Sequence, residues 1–426
     1  MAQLTDDCFA FNGPLMTVAE AEAMIASRIG PVAETERVAV DDARGRILSG
    51  DVVSPINMPP FDNSAVDGYA IRHADLQAGS ETRLTLTDRV QAGSQAKRTL
   101  TPGQAIRIFT GAPMPDCADT VFMQEDCTQE DGFVVLPTGL KPGANRRLKG
   151  EDVKQGSVIL KAGTRVSAPH ISMAAAVGLT HLDVRRRVRV ALFSTGDEVA
   201  EPGTQLRRAA IYDANRPLLR EMARTLGADV TDLGILPDNL AALERALCEA
   251  ASDHDLVLTS GGVSTGEADY VRVAVKAIGT LVFWRVAIKP GRPVALGVIP
   301  SGDGVSQAAF AGLPGNPVAA FVTFARIVRP LLLRLAGSAP EFLIAYPVRA
   351  AFAYKKKTGR REYVRVSLRC GEDGALEAVK YAQDGAGVIS SLTQTDGLAE
   401  LSEDMVSITP GMLIGFLPYS SLMGCR

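Results

Sequence analysis

The stretch Asp255-Leu-Val-Leu-Thr-Ser-Gly-Gly-Val-Ser-Thr-Gly-Glu-Ala-Asp269 decides the fold, together with its counterpart Ala308-Ala-Phe-Ala-Gly-Leu-Pro-Gly-Asn-Pro317. Each runs from a short apolar strand into a glycine-bearing turn, and a helical pattern follows. Strand, tight turn and helix start are how an α/β sheet presents bare backbone N–H groups to an anion at its carboxyl edge. In Ser260-Gly261-Gly262-Val-Ser-Thr-Gly266 the glycines let a ligand approach the backbone, and Ser264 and Thr265 add hydroxyl donors. Glu267 and Asp269 suit Mg²⁺ held against a phosphate; equally, Asp269 suits the N-terminal cap of the next helix. The absence of a closing Gly-Lys-Ser/Thr sets this turn apart from a Walker loop.

Working outward, Val188 to Phe193, Val230 to Ile235, Leu256 to Thr259, Val282 to Ile288, Val294 to Val298 and Ala308 to Ala311 read as strands. They alternate with helices expected at Asn215–Leu226, at Asn239–Ala251 and onward from Pro317. Such alternation implies a largely parallel sheet with helices on both faces. Phe193-Ser-Thr-Gly-Asp-Glu198 ends one of these strands, so either Glu198 is a site acid or the turn is a cap in which Asp197 or Ser194 starts a helix. In Leu313-Pro314-Gly315-Asn316-Pro317, Asn316 reads as an N-cap and Pro317 as the first helical residue. Ala287-Ile-Lys-Pro-Gly-Arg-Pro293 sets Lys289 and Arg292 on a rigid turn, where two cations suit an oxyanion or remain solvated.

The flanks differ in texture. Thr17 to Ile29 reads as a helix with Thr17 and Glu20 forming a capping box. Residues 56–155 are strand-rich and punctuated by Gly, Pro and Asp, with strands expected at Leu84–Thr87, Ala105–Phe109, Thr120–Met123 and Phe133–Leu136. After Pro340 the pattern alternates with period two, as in a small all-β domain. Phe61-Asp-Asn-Ser-Ala-Val-Asp67-Gly-Tyr-Ala70 is dense in turn formers, and Gly143 to Asp152 is a loop of bases followed by acids.

Bulk properties narrow the class. The 426 residues call for several domains. A net charge of −3 gives no general field for nucleic acid or an anionic membrane, so an anionic ligand must be met by local donors. The six cysteines are scattered with no C-x-x-C, which fits reduced thiols in a cytoplasm. The acidic N-terminus lacks the bases of a signal peptide, and no apolar run reaches the ~20 residues a membrane helix needs. From the residues alone the expectation is a site for a nucleotide-like diphosphate with a divalent metal.

In family order, from Pro59 to Pro317, the strings Pro-Pro-Phe-Asp-Asn-Ser-Ala-Val-Asp-Gly-Tyr-Ala, Arg-Ile-Phe-Thr-Gly-Ala, Lys-Gly-Glu-Asp-Val, Ser-Thr-Gly-Asp-Glu, Asp-Ala-Asn-Arg-Pro, Ser-Gly-Gly-Val-Ser-Thr-Gly-Glu-Ala-Asp-Tyr, Ala-Ile-Lys-Pro-Gly-Arg-Pro and Leu-Pro-Gly-Asn-Pro resemble the molybdopterin molybdotransferases, the MoeA and gephyrin E-domain proteins of molybdenum cofactor synthesis. The resemblance implies an elongated multidomain subunit of α/β plus β class. Its parts would be a connecting and dimerisation subdomain (31–55 and 156–186), a β-rich subdomain (56–155), a doubly wound, mostly parallel α/β molybdopterin-binding domain (8–30 and 187–335) and a C-terminal small β-barrel (336–426). It implies a homodimer with an intersubunit site, and a Mg²⁺-dependent reaction of adenylylated molybdopterin with molybdate that releases AMP. Upstream adenylyltransferase and downstream cofactor-modifying enzymes are the implied partners. The implied catalytic acids are Asp67, Asp152, Glu198, Asp238 and Asp269, with Glu198, Asp238 and Asp269 as Mg²⁺ ligands. Thr110, Arg147, Arg285, Lys289, Arg292, Pro314, Pro317 and Arg365 join the glycine turns in binding substrate. Arg285 stands where a lysine is common, and Ala386 stands where the family has a serine. An adenylyltransferase acting one step earlier and a non-catalytic scaffold are the competing readings.

Overall fold

The computed structural model describes residues 15–32, 34–263, 270–302 and 307–424. Ser264, Thr265, Gly266, Glu267 and Asp269 therefore lie outside the described residues. Helix α1 (Val18–Arg28) opens with the expected capping box: Glu20 N donates to Thr17 Oγ1 (3.2 Å), and Thr17 N donates to Glu20 Oε2 (2.7 Å). The chain then enters a connecting region in which Thr35–Ala39 pairs antiparallel with His181–Arg185, flanked by the helix Ala168–Ala176.

The β-rich unit is a six-stranded sheet of β1 (Gly68–Ile71), β2 (Thr82–Val90), β3 (Gln104–Ile108), β4 (Thr120–Met123), β5 (Thr128–Glu130) and β6 (Phe133–Leu136), in the order β4-β1-β3-β2-β6-β5. Alternate residues bury on its two faces: Tyr69, Ile71 and Phe122 on one, Ala70, Ile106 and Val121 on the other.

The central sheet is built from β7 (Arg189–Thr195), α2 (Asn215–Thr225), β8 (Asp229–Leu236), α3 (Leu240–Asp253), β9 (Leu256–Ser260), α4 (Tyr270–Ile278), β10 (Thr280–Arg285), β11 (Pro293–Pro300) and β12 (Gln307–Leu313). The strand order is β8-β7-β9-β12-β11-β10. The first four run parallel, with Ser194 beside Ser260 and Ser260 beside Leu313 at their carboxyl ends. β11 runs antiparallel to both neighbours. The links on either side of it are too short for the crossover that a parallel pair needs. The chain passes from β7 outward to β8, then returns across β7 to β9, and a crevice opens where the winding direction reverses. One apolar cluster, with Leu192, Leu258, Leu219, Phe321 and Leu331, covers one face of the sheet; a second, with Phe193, Val257, Leu247, Val275 and Phe310, covers the other.

Two expectations need correction here. The strand read as Val282–Ile288 is divided: β10 ends at Arg285, and Ile288–Lys289 pairs instead with Arg361–Glu362. The break follows from a bend in which Val286 N donates to Arg292 O and Ala287 N to Met16 O. The helix from Pro317 is also interrupted. α5 (Pro317–Thr323) passes through a π turn at Phe324–Val328 into α6 (Arg329–Leu335), and Pro330 near the start of α6 removes a donor from the helical ladder.

The tail closes into a five-stranded barrel of β13 (Tyr346–Ala350), β14 (Arg361–Cys370), β15 (Leu376–Lys380), β16 (Gly397–Leu401) and β17 (Leu413–Pro418), in the ring order β14-β15-β13-β17-β16 back to β14. Val348, Val364, Val366, Ile414 and Phe416 fill it. Tyr363, Leu398, Leu417 and Leu422 join the apolar cluster of the central sheet instead. No described helix is long and apolar enough to cross a membrane.

Candidate functional site

At the carboxyl edge of the parallel strands lies a cleft of about 470 Å³, lined by Ser194–Gly196, Glu198, Ile211–Asn215, Asp238, Ser260–Val263, Pro293 and Pro314–Pro317. The expected turns from β7, β9 and β12 therefore meet. Gly261 and Gly262 have φ of +91° and +64°; a Cβ at Gly261 would sit 2.5 Å from Thr195 O, and one at Gly262 would sit 2.4 Å from Val271 Cγ2. Only glycine fits both the backbone and the space. Asp238 accepts from Thr195 Oγ1. Glu198 is exposed on the turn after β7, where no helix follows, so the capping alternative does not hold for Asp197 or Ser194.

Asn316 occupies the N-cap position of α5, but its side chain makes no capping bond. The helix start is met from the barrel instead: Val318 N donates to Ala386 O at 2.9 Å. The contribution of Ala386 here is a backbone carbonyl, which a serine would supply equally. Arg365 stabilises the same loop. Its guanidinium donates to Gln383 O (3.2 Å), Gly385 O (3.0 Å) and Ser391 Oγ (3.1 Å).

A second hollow of about 450 Å³ continues from Pro293, Pro314 and Asn316 toward the barrel, lined there by Lys289, Tyr354, Lys355, Glu362 and Arg365. Lys289 Nζ, half exposed, donates to Tyr354 Oη (2.9 Å) and Glu362 Oε2 (3.1 Å); Tyr354 Oη donates to the same oxygen at 2.7 Å, and Arg360 Nε to Glu362 Oε1 at 2.8 Å. Burial pushes the Glu362 carboxyl up, but the bonds from Tyr354, Lys289 and Arg360 overcome it and hold it below its usual range. Burial likewise pulls the Lys289 ammonium down, and its bonds to Tyr354 and Glu362 reverse the shift upward. Arg285 lies on the last position of β10, and Arg292 is exposed beside the turn.

The remaining expected residues gather on the β-rich unit. Asp67 Oδ1 accepts from Thr110 N (2.8 Å) and Thr110 Oγ1 (2.9 Å); the backbone bond first, then the hydroxyl, holds its carboxyl below the ordinary value. Arg147 pairs with Asn63, and Asp152 N donates to Met58 O, so the loops 58–67, 110–113 and 145–153 form one surface. None of Asp67, Thr110, Arg147 and Asp152 lines the cleft of its own chain.

For a divalent metal, Glu198 and Asp238 offer hard carboxylate oxygens at the cleft and fit an ion that keeps several waters. No group of three or more His, Cys, Asp or Glu is assembled for a metal among the described residues, and Asp269 lies outside them. Sequence reasoning missed Asn215, Tyr354 and Glu362 as site residues. Asn215 stood within the string Asp-Ala-Asn-Arg-Pro, which carried the signal. Tyr354 and Glu362 carried none, because their role depends on a partner from another layer.

Fold and cleft together define a multidomain protein with a crevice at the switch point of its central sheet, walled by glycine- and proline-bearing turns. Family models describe residues 16–178 as MoeA N-terminal region (domain I and II), 191–334 as a probable molybdopterin binding domain, and 347–419 as MoeA C-terminal region (domain IV). The molybdopterin molybdenumtransferase of Haemophilus influenzae is 36% identical over 416 residues, covering 96% of this chain and 100% of the relative. That of a Nostoc species is 37% identical over 393 residues, covering 90% and 89%. A solved MoeA protein from Pyrococcus horikoshii OT3 superposes with a TM-score of 0.80 at 28% identity, covering 95% of this chain and 100% of that one. The chain belongs to the molybdopterin molybdenumtransferase (MoeA) family.

Proposed function

We propose that this chain inserts molybdenum from molybdate into adenylylated molybdopterin and releases AMP, as a Mg²⁺-dependent step of molybdenum cofactor biosynthesis. The observation that carries the reading is the convergence of Ser260–Gly262, Pro314–Pro317, Glu198 and Asp238 on one crevice, in a chain related to molybdopterin molybdenumtransferases over nearly its full length.

In this reading the Gly261–Gly262 backbone and the Ser260 hydroxyl bind the phosphate-bearing part of the substrate. Lys289, held by Tyr354 and Glu362, supplies positive charge at the neighbouring hollow. Glu198 and Asp238, with Asp269, would hold Mg²⁺, which when bound neutralises charge on the phosphoanhydride. Asp67 stays ionised through Thr110 and, with Arg147 and Asp152, completes the cleft of a second subunit in a homodimer. The four-part division of an elongated subunit, the doubly wound α/β domain and a cytoplasmic location belong to the same proposal.

The test is release of AMP from adenylylated molybdopterin by the purified chain with Mg²⁺, with and without molybdate. Molybdate-dependent AMP release is expected. Pyrophosphate release from ATP and molybdopterin would replace the reading by an adenylyltransferase; no turnover in either assay would replace it by a scaffold.

A further inference from the structure

Asn215, the first residue of α2, is buried at 7% exposure in the wall of the cleft. Its side chain spans the two turns that define the crevice. Nδ2 donates to Ser260 Oγ at 2.8 Å and to Gly315 O at 2.7 Å. The carbonyl of Gly315 can only accept, so it fixes which end of the amide faces the cleft wall. The opposite rotamer would bring carbonyl against carbonyl. The cost of this orientation is visible: Asn215 Oδ1 is buried and has no partner among the described residues.

The consequence falls on Ser260, which is 4% exposed. Its oxygen accepts from Asn215, so its single proton must point elsewhere. Among the described residues no acceptor takes that proton. Ser260 ends β9 and lines the crevice beside Gly261 and Gly262. The neighbouring backbone is stiff: Asp213 Oδ1 accepts from Asn215 N (3.1 Å) and Arg216 N (3.0 Å), and Asp213, Asp232 and Glu201 hold Arg216.

We infer that Asn215 is a positioning residue: it commits the Ser260 hydroxyl as a donor to a phosphate oxygen in the cleft. The inference rests on the reading that the cleft binds a phosphate-bearing ligand. Its new content is a division of labour, with Ser260 touching the anion and Asn215 acting through Ser260.

The experiment is calorimetric titration of inorganic pyrophosphate into the full chain, as wild type, N215L, S260A and the double variant, with melting curves for each. Asn215→Leu keeps the shape and adds no charge. One hydrogen bond to a charged acceptor corresponds to roughly a 10- to 100-fold loss in affinity for S260A. N215L is expected to lose affinity as well, and N215L/S260A to bind no more weakly than S260A. Losses that multiply in the double variant overturn the inference while leaving the cleft's function intact. Wild-type affinity in a stably folded S260A overturns it too, and this variant serves should N215L fail to fold. A wild-type chain that binds no pyrophosphate overturns the functional reading along with it.

Discussion

Replacing Glu362 by Gln tests the joint between the central sheet and the barrel. Glu362 is 1% exposed and accepts from Tyr354, Lys289 and Arg360. Each bond to a charged partner contributes about 1.5–3 kcal/mol, and the amide retains one acceptor oxygen while offering an NH₂ to donors that need an acceptor. Lys289 is half exposed and can turn into water at little cost, so its share is discounted. The loss then falls mainly on Tyr354 and Arg360, about 2–3 kcal/mol, which corresponds to a fall in melting temperature of about 3–8 °C. Release of Lys289 should raise KM for the anionic substrate roughly fivefold. The pH dependence has a definite sign. The lowered Glu362 carboxyl stabilises the fold above its ordinary value of 4.5, and the effect is lost as pH falls through the lower folded value. The raised Lys289 ammonium stabilises below its ordinary value of 10.5, and the effect is lost as pH rises through the higher folded value. The gap between wild type and E362Q should be widest between these limits and narrow toward both. Urea denaturation across pH with steady-state kinetics is the assay. Equal stability and equal KM at neutral pH would refute the reasoning.

Asp67→Asn, which loses the carboxylate that Thr110 holds ionised, should fold normally yet cut molybdate-dependent AMP release by 10²-fold or more, on the order of one electrostatic group in the transition state; unchanged turnover would remove Asp67 from the site. Gly262→Ala should destabilise the chain by about 1–3 kcal/mol, since its Cβ would strike Val271 and Thr195, and circular dichroism melting measures it. Glu198→Gln with Asp238→Asn should weaken Mg²⁺ activation of turnover at least tenfold, read from the Mg²⁺ concentration at half-maximal rate; an unchanged midpoint would exclude both as ligands. Burial first, then Asp126, pushes the Cys127 thiol up to about 11, so at pH 8 iodoacetamide should label exposed Cys117, Cys248 and Cys370 well before Cys127, by peptide mass mapping.

The parts of the site that sequence makes legible are those whose signal is local. The apolar run Leu256–Ser260 followed by two glycines announces its strand and turn, and Pro314–Pro317 announces a helix start, because both depend on backbone geometry within a few residues. Asp67 next to Gly68 reads only as a turn until the family strings are considered, since its partner Thr110 lies 43 positions on. The break between Arg285 and Ile288 is invisible in a stretch that is apolar throughout except for Arg285; a bond to Met16 and pairing with Arg361 decide it. Asn215 looks like a helix-start residue, and its function lies in bonds to Ser260 and to Gly315, 45 and 100 positions away. Long-range polar contacts leave no periodicity behind, so pattern reading cannot reach them.

Tyr363, Leu398 and Leu417 belong to the barrel strands yet pack with Phe321 and Leu331 in the helical layer beneath the central sheet. A chain cut after α6 would strip that layer of its cover and leave Lys289 without Tyr354 and Glu362. One cut would therefore cost the molecule both a share of its core and the partners of a cation beside the crevice.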